Sequence, residues 1–119
     1  FFIFYEDFDL CRRIRKLNKS IIQIKNADAY HQHGEGKSIN NSFKRTFIVN
    51  YNMTYSELYY YFKINNHNQK FMKLKSKIPS YLFKTLINLI FFKLNTSIFY
   101  LSKIIAFFKF KNFIKNKIN

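Results

Sequence analysis

The chain has 119 residues, enough for one small domain and too few for two full ones. Its formal charge of +15 is uneven: all six acids lie in residues 1–57 beside nine Lys and Arg, whereas residues 58–119 contain twelve Lys and no acid. Such a basic segment attracts anionic lipid or nucleic acid. The single Cys11 excludes an internal disulfide and a cysteine-rich metal site, and a reducing, cytoplasmic compartment fits this content.

The chain starts in an apolar stretch rather than at Met, so we expect it to be part of a longer protein. Residues 1–5 predict a strand, and Glu6 and Asp7 follow it where a carboxylate can cap a helix. Apolar residues spaced for one helix face predict a helix through about Lys16. Asn18 suits the left-handed residue that ends such a helix.

Residues 21–24 are mostly β-branched and predict a second strand, and residues 27–33 predict a further extended piece. A loop is expected at 34–38, which contains both glycines of the chain. Residues 42–63 have apolar side chains at spacings that suit one or two amphipathic helices, with Ser56 as the cap of the second.

Residues 64–77 are predicted to form a polar linker, and residues 78–119 a basic, mostly helical tail. Within this tail, the apolar runs at 85–92 and 94–102 are separated by Lys93, so neither reaches the roughly 18 uncharged residues that a membrane-spanning helix needs. Amphipathic helices lying in a membrane interface, with snorkelling Lys side chains, suit the pattern better. Packing of these helices on a missing part of the protein is the alternative.

Two groups of side chains suggest chemistry. Glu6, Asp7 and Asp9 are crowded where the predicted strand meets the predicted helix, a position in which one carboxylate could be tuned for proton transfer. His31 and His33 alternate on an extended stretch just before the glycine loop, and they offer imidazole nitrogens to a divalent metal.

These two segments together resemble the C-terminal motif of family 2 glycosyltransferases, particularly the rhamnosyltransferase-like members. The family pattern is aromatic-x-Glu-Asp-x-Asp-Leu-Cys-x-Arg, a short strand, and then His-x-x-Gly-x-Ser. The chain matches it with Glu-Asp-Phe-Asp-Leu-Cys-Arg-Arg at 6–13 and His-Gly-Glu-Gly-Lys-Ser at 33–38. The aromatic stretch at 56–63 resembles the helix that follows. The resemblance implies that residues 1–63 are the C-terminal catalytic and acceptor part of an α/β fold of the GT-A type.

The resemblance also implies roles for individual residues. Asp7 takes the position of the general base, with Glu6 beside it, and His33 that of the histidine that contacts the metal or diphosphate. Asp9, Arg13 and His31 would contact the acceptor or support the residues that do. The loop residues Gly36, Lys37 and Ser38 would contact the diphosphate. The Asp-x-Asp formed by Asp7 and Asp9 is assigned to the base motif, with a donor-site metal motif as the minor alternative.

The implied activity is inverting transfer of a sugar, with rhamnose as a candidate, from a nucleotide-diphosphate sugar donor to a glycan or lipid-linked glycan acceptor. Mg²⁺ or Mn²⁺ would be held by His33 together with ligands from a donor-binding half that this chain lacks, so the fragment should be inactive alone. We expect a cytoplasmic location, peripheral on the inner face of the cell membrane. The alternatives are a gene remnant and a non-enzymatic basic module that binds anionic membrane or nucleic acid, the latter being the less favoured partner.

Overall fold

The computed structural model describes residues 5–26, 28, 30, 42–64 and 67–118. These residues form four α-helices: α1 (Glu6–Lys16), α2 (Ser42–Lys63), α3 (His67–Ile90) and α4 (Leu94–Ile118). No strand occurs among them. The architecture of the described chain is therefore all-α, and the predicted α/β fold of the GT-A type is wrong.

The segment at 21–24 explains part of this error. Its β-branched side chains favour a strand, but a strand is stable only when neighbouring strands pair with it and cover one face. Here the segment has no regular secondary structure, and Ile22 is 79% exposed. Residues 1–4 and most of 27–33 lie outside the described residues, so the strands predicted there do as well.

The first helix agrees with its prediction. α1 runs from Glu6 to Lys16, and Asn18 follows it with a left-handed φ of 54°. Lys19 N–H donates to the Ile14 carbonyl at 3.2 Å, and Asn18 N–H donates to the Arg15 carbonyl at 3.0 Å. Both carbonyls belong to the last turn of α1. This pair of bonds is the Schellman motif that satisfies the final carbonyls of a helix.

The helix start differs from the expected carboxylate cap. Tyr5 occupies the N-cap position and makes no side-chain capping hydrogen bond. The first turn of α1 contains Glu6, Asp7 and Asp9 instead, and their negative charges interact favourably with the positive end of the helix dipole. The acids at this junction therefore favour α1 electrostatically.

The core lies between α2, α3 and α4. Its buried apolar side chains are Leu58 of α2, Ile78 of α3 and Ile104, Phe107 and Phe110 of α4. α4 is the central helix, because α2 and α3 contact it more extensively than they contact each other. Two fully buried small residues of α4, Ser102 and Ala106, allow a neighbouring backbone to approach closely.

The polar stretch predicted as a linker contributes to this core. α3 already begins at His67, and the Phe71 ring stacks on Phe107 with centroids 4.7 Å apart. Ser56, predicted to cap a second helix, is instead buried inside the continuous α2. The residues on both sides of the predicted linker therefore belong to one packed bundle.

α3 and α4 form an antiparallel hairpin because only residues 91–93 connect them. Ser97 Oγ donates a buried hydrogen bond of 3.1 Å to the Thr85 carbonyl and so ties the helices together near the turn. Within the described part of the chain, none of the helices has the length and apolarity that crossing a bilayer requires.

Candidate functional site

The predicted catalytic carboxylates occupy different environments. Glu6 and Asp7 are exposed on the first turn of α1, whereas the Asp9 side chain is only 7% exposed. Lys63 Nζ donates to both Asp9 oxygens, at 3.0 and 2.9 Å, and Arg13 Nε lies 3.2 Å from one of them. The hydrogen bond from Lys63 lowers the pKa of Asp9, against the opposing effect of burial. Asp9 therefore joins α1 to α2 as the carboxylate of an ion-pair network.

The remaining predicted site residues cannot be placed against these carboxylates. His31, His33, Gly36, Lys37 and Ser38 all lie outside the described residues. Among the described residues, no three His, Cys, Asp or Glu side chains are grouped to hold a metal ion. Catalysis by Asp7 and metal binding by His33 therefore stay predictions.

A broad apolar face covers one side of the α3–α4 hairpin. Its members are exposed side chains, each of which lies three, four or seven residues from another member on the same helix, so they share one broad surface of that helix: Leu82, Phe83, Leu86 and Ile90 of α3, and Leu94, Leu101, Ile105 and Phe108 of α4. Phe108 of this face also lines a cavity of about 270 Å³. The described residues that line the cavity belong to α3 and α4 and none to α2, so at Phe108 the face lies on a side of the hairpin that α2 does not cover.

Lysines border this face at both ends. Lys75 and Lys111 line the cavity beside Pro79 and Phe108, and both are exposed. Lys93 lies at the other end, in the turn between the helices. Neither α3 nor α4 contains an acid. The face therefore combines an apolar surface with a purely cationic border.

The turn of the hairpin, residues 91–93, is here called the tip. Phe91 and Phe92 are 68% and 88% exposed. Phe92 holds a φ of 54°, and Lys93 N–H donates to the Asn88 carbonyl at 2.8 Å, which is the same helix-ending motif that Asn18 completes. A left-handed conformation costs a non-glycine residue roughly 1–2 kcal/mol. The fold thus accepts strain at a position where it also exposes a phenyl ring.

A second candidate site opens on the other side of the hairpin, between it and α2. This pocket has a volume of about 240 Å³, and four lysines line it: Lys70, Lys73, Lys77 and Lys103. Glu57 contributes a carboxylate to the lining, and its Oε1 lies 2.5 Å from Lys70 Nζ. The hydrogen bond between them raises the pKa of Lys70. We call this site the lysine pocket.

Neither the tip nor the lysine pocket was identified from the sequence. The i, i+3, i+7 spacing of Lys70, Lys73 and Lys77 places them on one face only if the segment is helical. Residues 64–77 are predicted to be a linker, so the sequence does not predict that the three lysines lie together. Lys103 joins them only through tertiary packing. The adjacent Phe91 and Phe92 gave a usable signal, since two aromatic residues precede a lysine between two apolar runs.

Comparison with protein-family models, curated proteins and solved structures finds no match to this chain. The predicted membership of glycosyltransferase family 2 rested on the motif at 6–13 and 33–38 and on an α/β fold. The four-helix architecture of the described residues, with no strand among them, contradicts that fold. The resemblance of the motif therefore does not extend to the structure, and the family assignment is wrong.

Proposed function

We propose that this protein binds anionic membranes peripherally, with the apolar face and tip of the α3–α4 hairpin in the lipid interface. The observation that carries the proposal is the tip, where Phe91 and Phe92 are exposed side by side next to Lys93. Aromatic and aliphatic side chains of such a face enter the boundary between head groups and acyl chains, and neighbouring lysines stay at the head groups.

Charge supports the choice of an anionic bilayer as the partner. The two hairpin helices contain lysines and no acid, so no part of them repels a negatively charged surface. Each Lys near such a surface contributes about 1 kcal/mol of attraction. Because anionic lipids are concentrated in the cytoplasmic leaflet, the proposal places the protein on that side of the membrane.

Helix packing supports insertion of this face rather than another. The opposite side of the hairpin is already covered by α2, with Leu58 and Phe62 against α4. The large apolar side chains of the face have no such cover among the described residues: Phe83 is 65% exposed and Ile90 is 71% exposed. Contiguous exposed apolar surface of this kind marks an interaction site.

Vesicle co-sedimentation of the full chain tests the proposal. We expect binding to phosphatidylcholine vesicles that contain phosphatidylglycerol and much weaker binding to phosphatidylcholine alone. At about 1 M salt, where the Debye length falls to about 3 Å, binding should weaken but not vanish, because the apolar contacts remain. Phe83→Ser should weaken binding to the anionic vesicles.

Ile22→Ser is the matched control, because it removes an exposed apolar side chain outside the hairpin. It should leave vesicle binding unchanged. Equal losses in the two variants would contradict insertion of the apolar face. Binding that vanishes at high salt, ignores Phe83→Ser and is matched by duplex DNA would favour a nucleic-acid module instead. Absence of vesicle binding would leave packing against another protein segment as the explanation of the face.

A further inference from the structure

The lysine pocket has a charge that its own residues do not balance. Four lysines and one carboxylate are among the described residues that line it, and Glu57 already pairs with Lys70. Lys73, Lys77 and Lys103 have no carboxylate within ion-pair distance among the described residues. Positive charge gathered in a partly enclosed site is expected to recruit an anion, because attraction is stronger there than at a fully hydrated surface.

The position of Lys103 makes this imbalance more significant. Its side chain is half-buried, and its Nζ lies 4.1 Å from the centre of the Phe99 ring. Burial is the main cause that lowers its pKa; Glu57 opposes the shift, and Lys77 adds to it by repulsion. An anion bound between Lys103 and Lys77 would offset the repulsion between their positive charges.

The backbone arrangement aims the other lysines at the same place. Lys70, Lys73 and Lys77 lie on one face of α3, and that face is turned toward α2. Two hydroxyl groups complete the lining, those of Thr54 on α2 and Tyr81 on α3. The Tyr81 hydroxyl keeps its proton at neutral pH and can donate a hydrogen bond, and burial raises its pKa further.

We propose that the lysine pocket binds a phosphate group, held by Lys73, Lys77 and Lys103 with the hydroxyls of Thr54 and Tyr81 as further donors. A phosphate offers several acceptor oxygens and up to two negative charges, which suits several lysines converging from two helices. The volume of about 240 Å³ favours a small ligand, because pockets for larger organic ligands measure about 300–1,000 Å³.

The phosphate could belong to a soluble ester or to a lipid head group. The pocket opens toward α2, whereas at Phe108 the apolar face lies on a side of the hairpin that α2 does not cover. This arrangement favours a soluble phosphate, since a bilayer against the apolar face would lie on the far side of α3. The inference stands on the pocket alone and does not require membrane binding.

Isothermal titration calorimetry of the full chain tests the inference. The ligands are inorganic phosphate and glycerol phosphate, and NaCl keeps the ionic strength constant. We expect saturable binding with one site per chain. Lys77→Gln should weaken it at least about fivefold, because one of three unpaired cations is removed from the pocket. Tyr81→Phe should weaken it less, because a single hydroxyl is lost while the ring stays.

Lys109→Gln is the control of equal charge change, because Lys109 is exposed on α4 and does not line the pocket. Equal weakening by Lys77→Gln and Lys109→Gln would show diffuse electrostatic attraction and overturn the inference. Suppression of phosphate binding by chloride alone would overturn it as well. Far-ultraviolet circular dichroism of each variant verifies that it folds.

A vesicle arm distinguishes the two sources of phosphate. If Lys77→Gln weakens binding of glycerol phosphate but not of phosphatidic acid vesicles, the ligand is soluble. If it weakens both, a lipid head group reaches the pocket. If it weakens neither, the pocket does not bind phosphate.

Discussion

Lys63 and Asp9 are 54 residues apart in the sequence, yet Lys63 Nζ donates to both carboxylate oxygens of Asp9. The pair connects the last turn of α2 to the first turn of α1. The rings of Tyr5 and Phe8 reinforce this contact, with centroids 5.6 and 6.4 Å from that of Tyr60 on α2. α1 thus joins the bundle through one nearly buried carboxylate and a small aromatic cluster.

Replacing Asp9 by Asn should loosen this junction. Asn keeps the size of the side chain but removes the charge that Lys63 and Arg13 share, so we expect a loss of about 1–3 kcal/mol in the free energy of unfolding. Urea denaturation measures the loss, and hydrogen exchange of the α1 amides locates it. Glu6→Gln, an exposed change in the same turn, should have little effect; an equal effect would show that Asp9 has no special role.

Acid should remove the same contribution. The folded pKa of Asp9 is lowered from its ordinary value of 3.8. The stabilisation is therefore fully present above pH 3.8 and is lost as the pH falls through the lower folded value. The melting temperature of the unsubstituted chain should exceed that of Asp9→Asn at neutral pH, and the two should converge once the pH falls below the lowered folded pKa of Asp9. If the difference in melting temperature persists in acid, it arises from the shape of the substituted side chain rather than from its charge.

The tip allows stability and membrane binding to be separated. Phe92→Gly should raise the free energy of unfolding by about 1 kcal/mol, because glycine adopts a positive φ without strain and the exposed ring has little packing to lose. The same change should weaken binding to anionic vesicles about tenfold, which corresponds to losing roughly 1.4 kcal/mol of apolar insertion. Urea denaturation and vesicle co-sedimentation measure the two effects.

Phe91→Gly serves as the comparison for this prediction. It removes a similar ring from the tip, but Phe91 is not in the left-handed region, so glycine relieves no strain there. It should weaken vesicle binding without stabilising the fold. If Phe92→Gly stabilises the protein and binds vesicles as well as the unsubstituted chain, the tip does not insert.

The hydrogen bond between Ser97 and the Thr85 carbonyl should be measurable as well. Ser97→Ala leaves this buried carbonyl with one fewer partner, and we expect a loss of about 0.5–1.5 kcal/mol in thermal or urea unfolding. Ser76→Ala is the control, since the Ser76 hydroxyl bonds an exposed carbonyl of its own helix. Comparable losses would mean that Ser97 does not tie the hairpin.

Local signals predicted part of this fold correctly. α1 and its end at Asn18 follow from apolar spacing and from the tolerance of asparagine for positive φ, both of which act within a few residues. Counting residues also predicts that the tail has no apolar helix long enough to span a membrane, which holds for the tail residues that the structure describes. These features depend little on what the rest of the chain does.

Features that depend on distant residues were not predictable in the same way. The strand at 21–24 needed a pairing partner, which the sequence cannot guarantee, and the motif at 6–13 suggested an α/β neighbourhood that the described helices do not provide. The motif predicts a role for Asp9 in contacting the acceptor, whereas in the structure Asp9 bonds to Lys63 on another helix. The lysine pocket required α3 to start at His67, within a stretch whose polar composition resembles a connector.

α3 turns lysines toward α2 on one flank and large apolar side chains outward on the other, with the buried residues between them. A chain bound to a membrane through the apolar face would therefore leave the lysine pocket open to the surrounding solution. Membrane attachment and phosphate binding would then use different faces of α3, so a substitution on one face would leave the residues of the other in place.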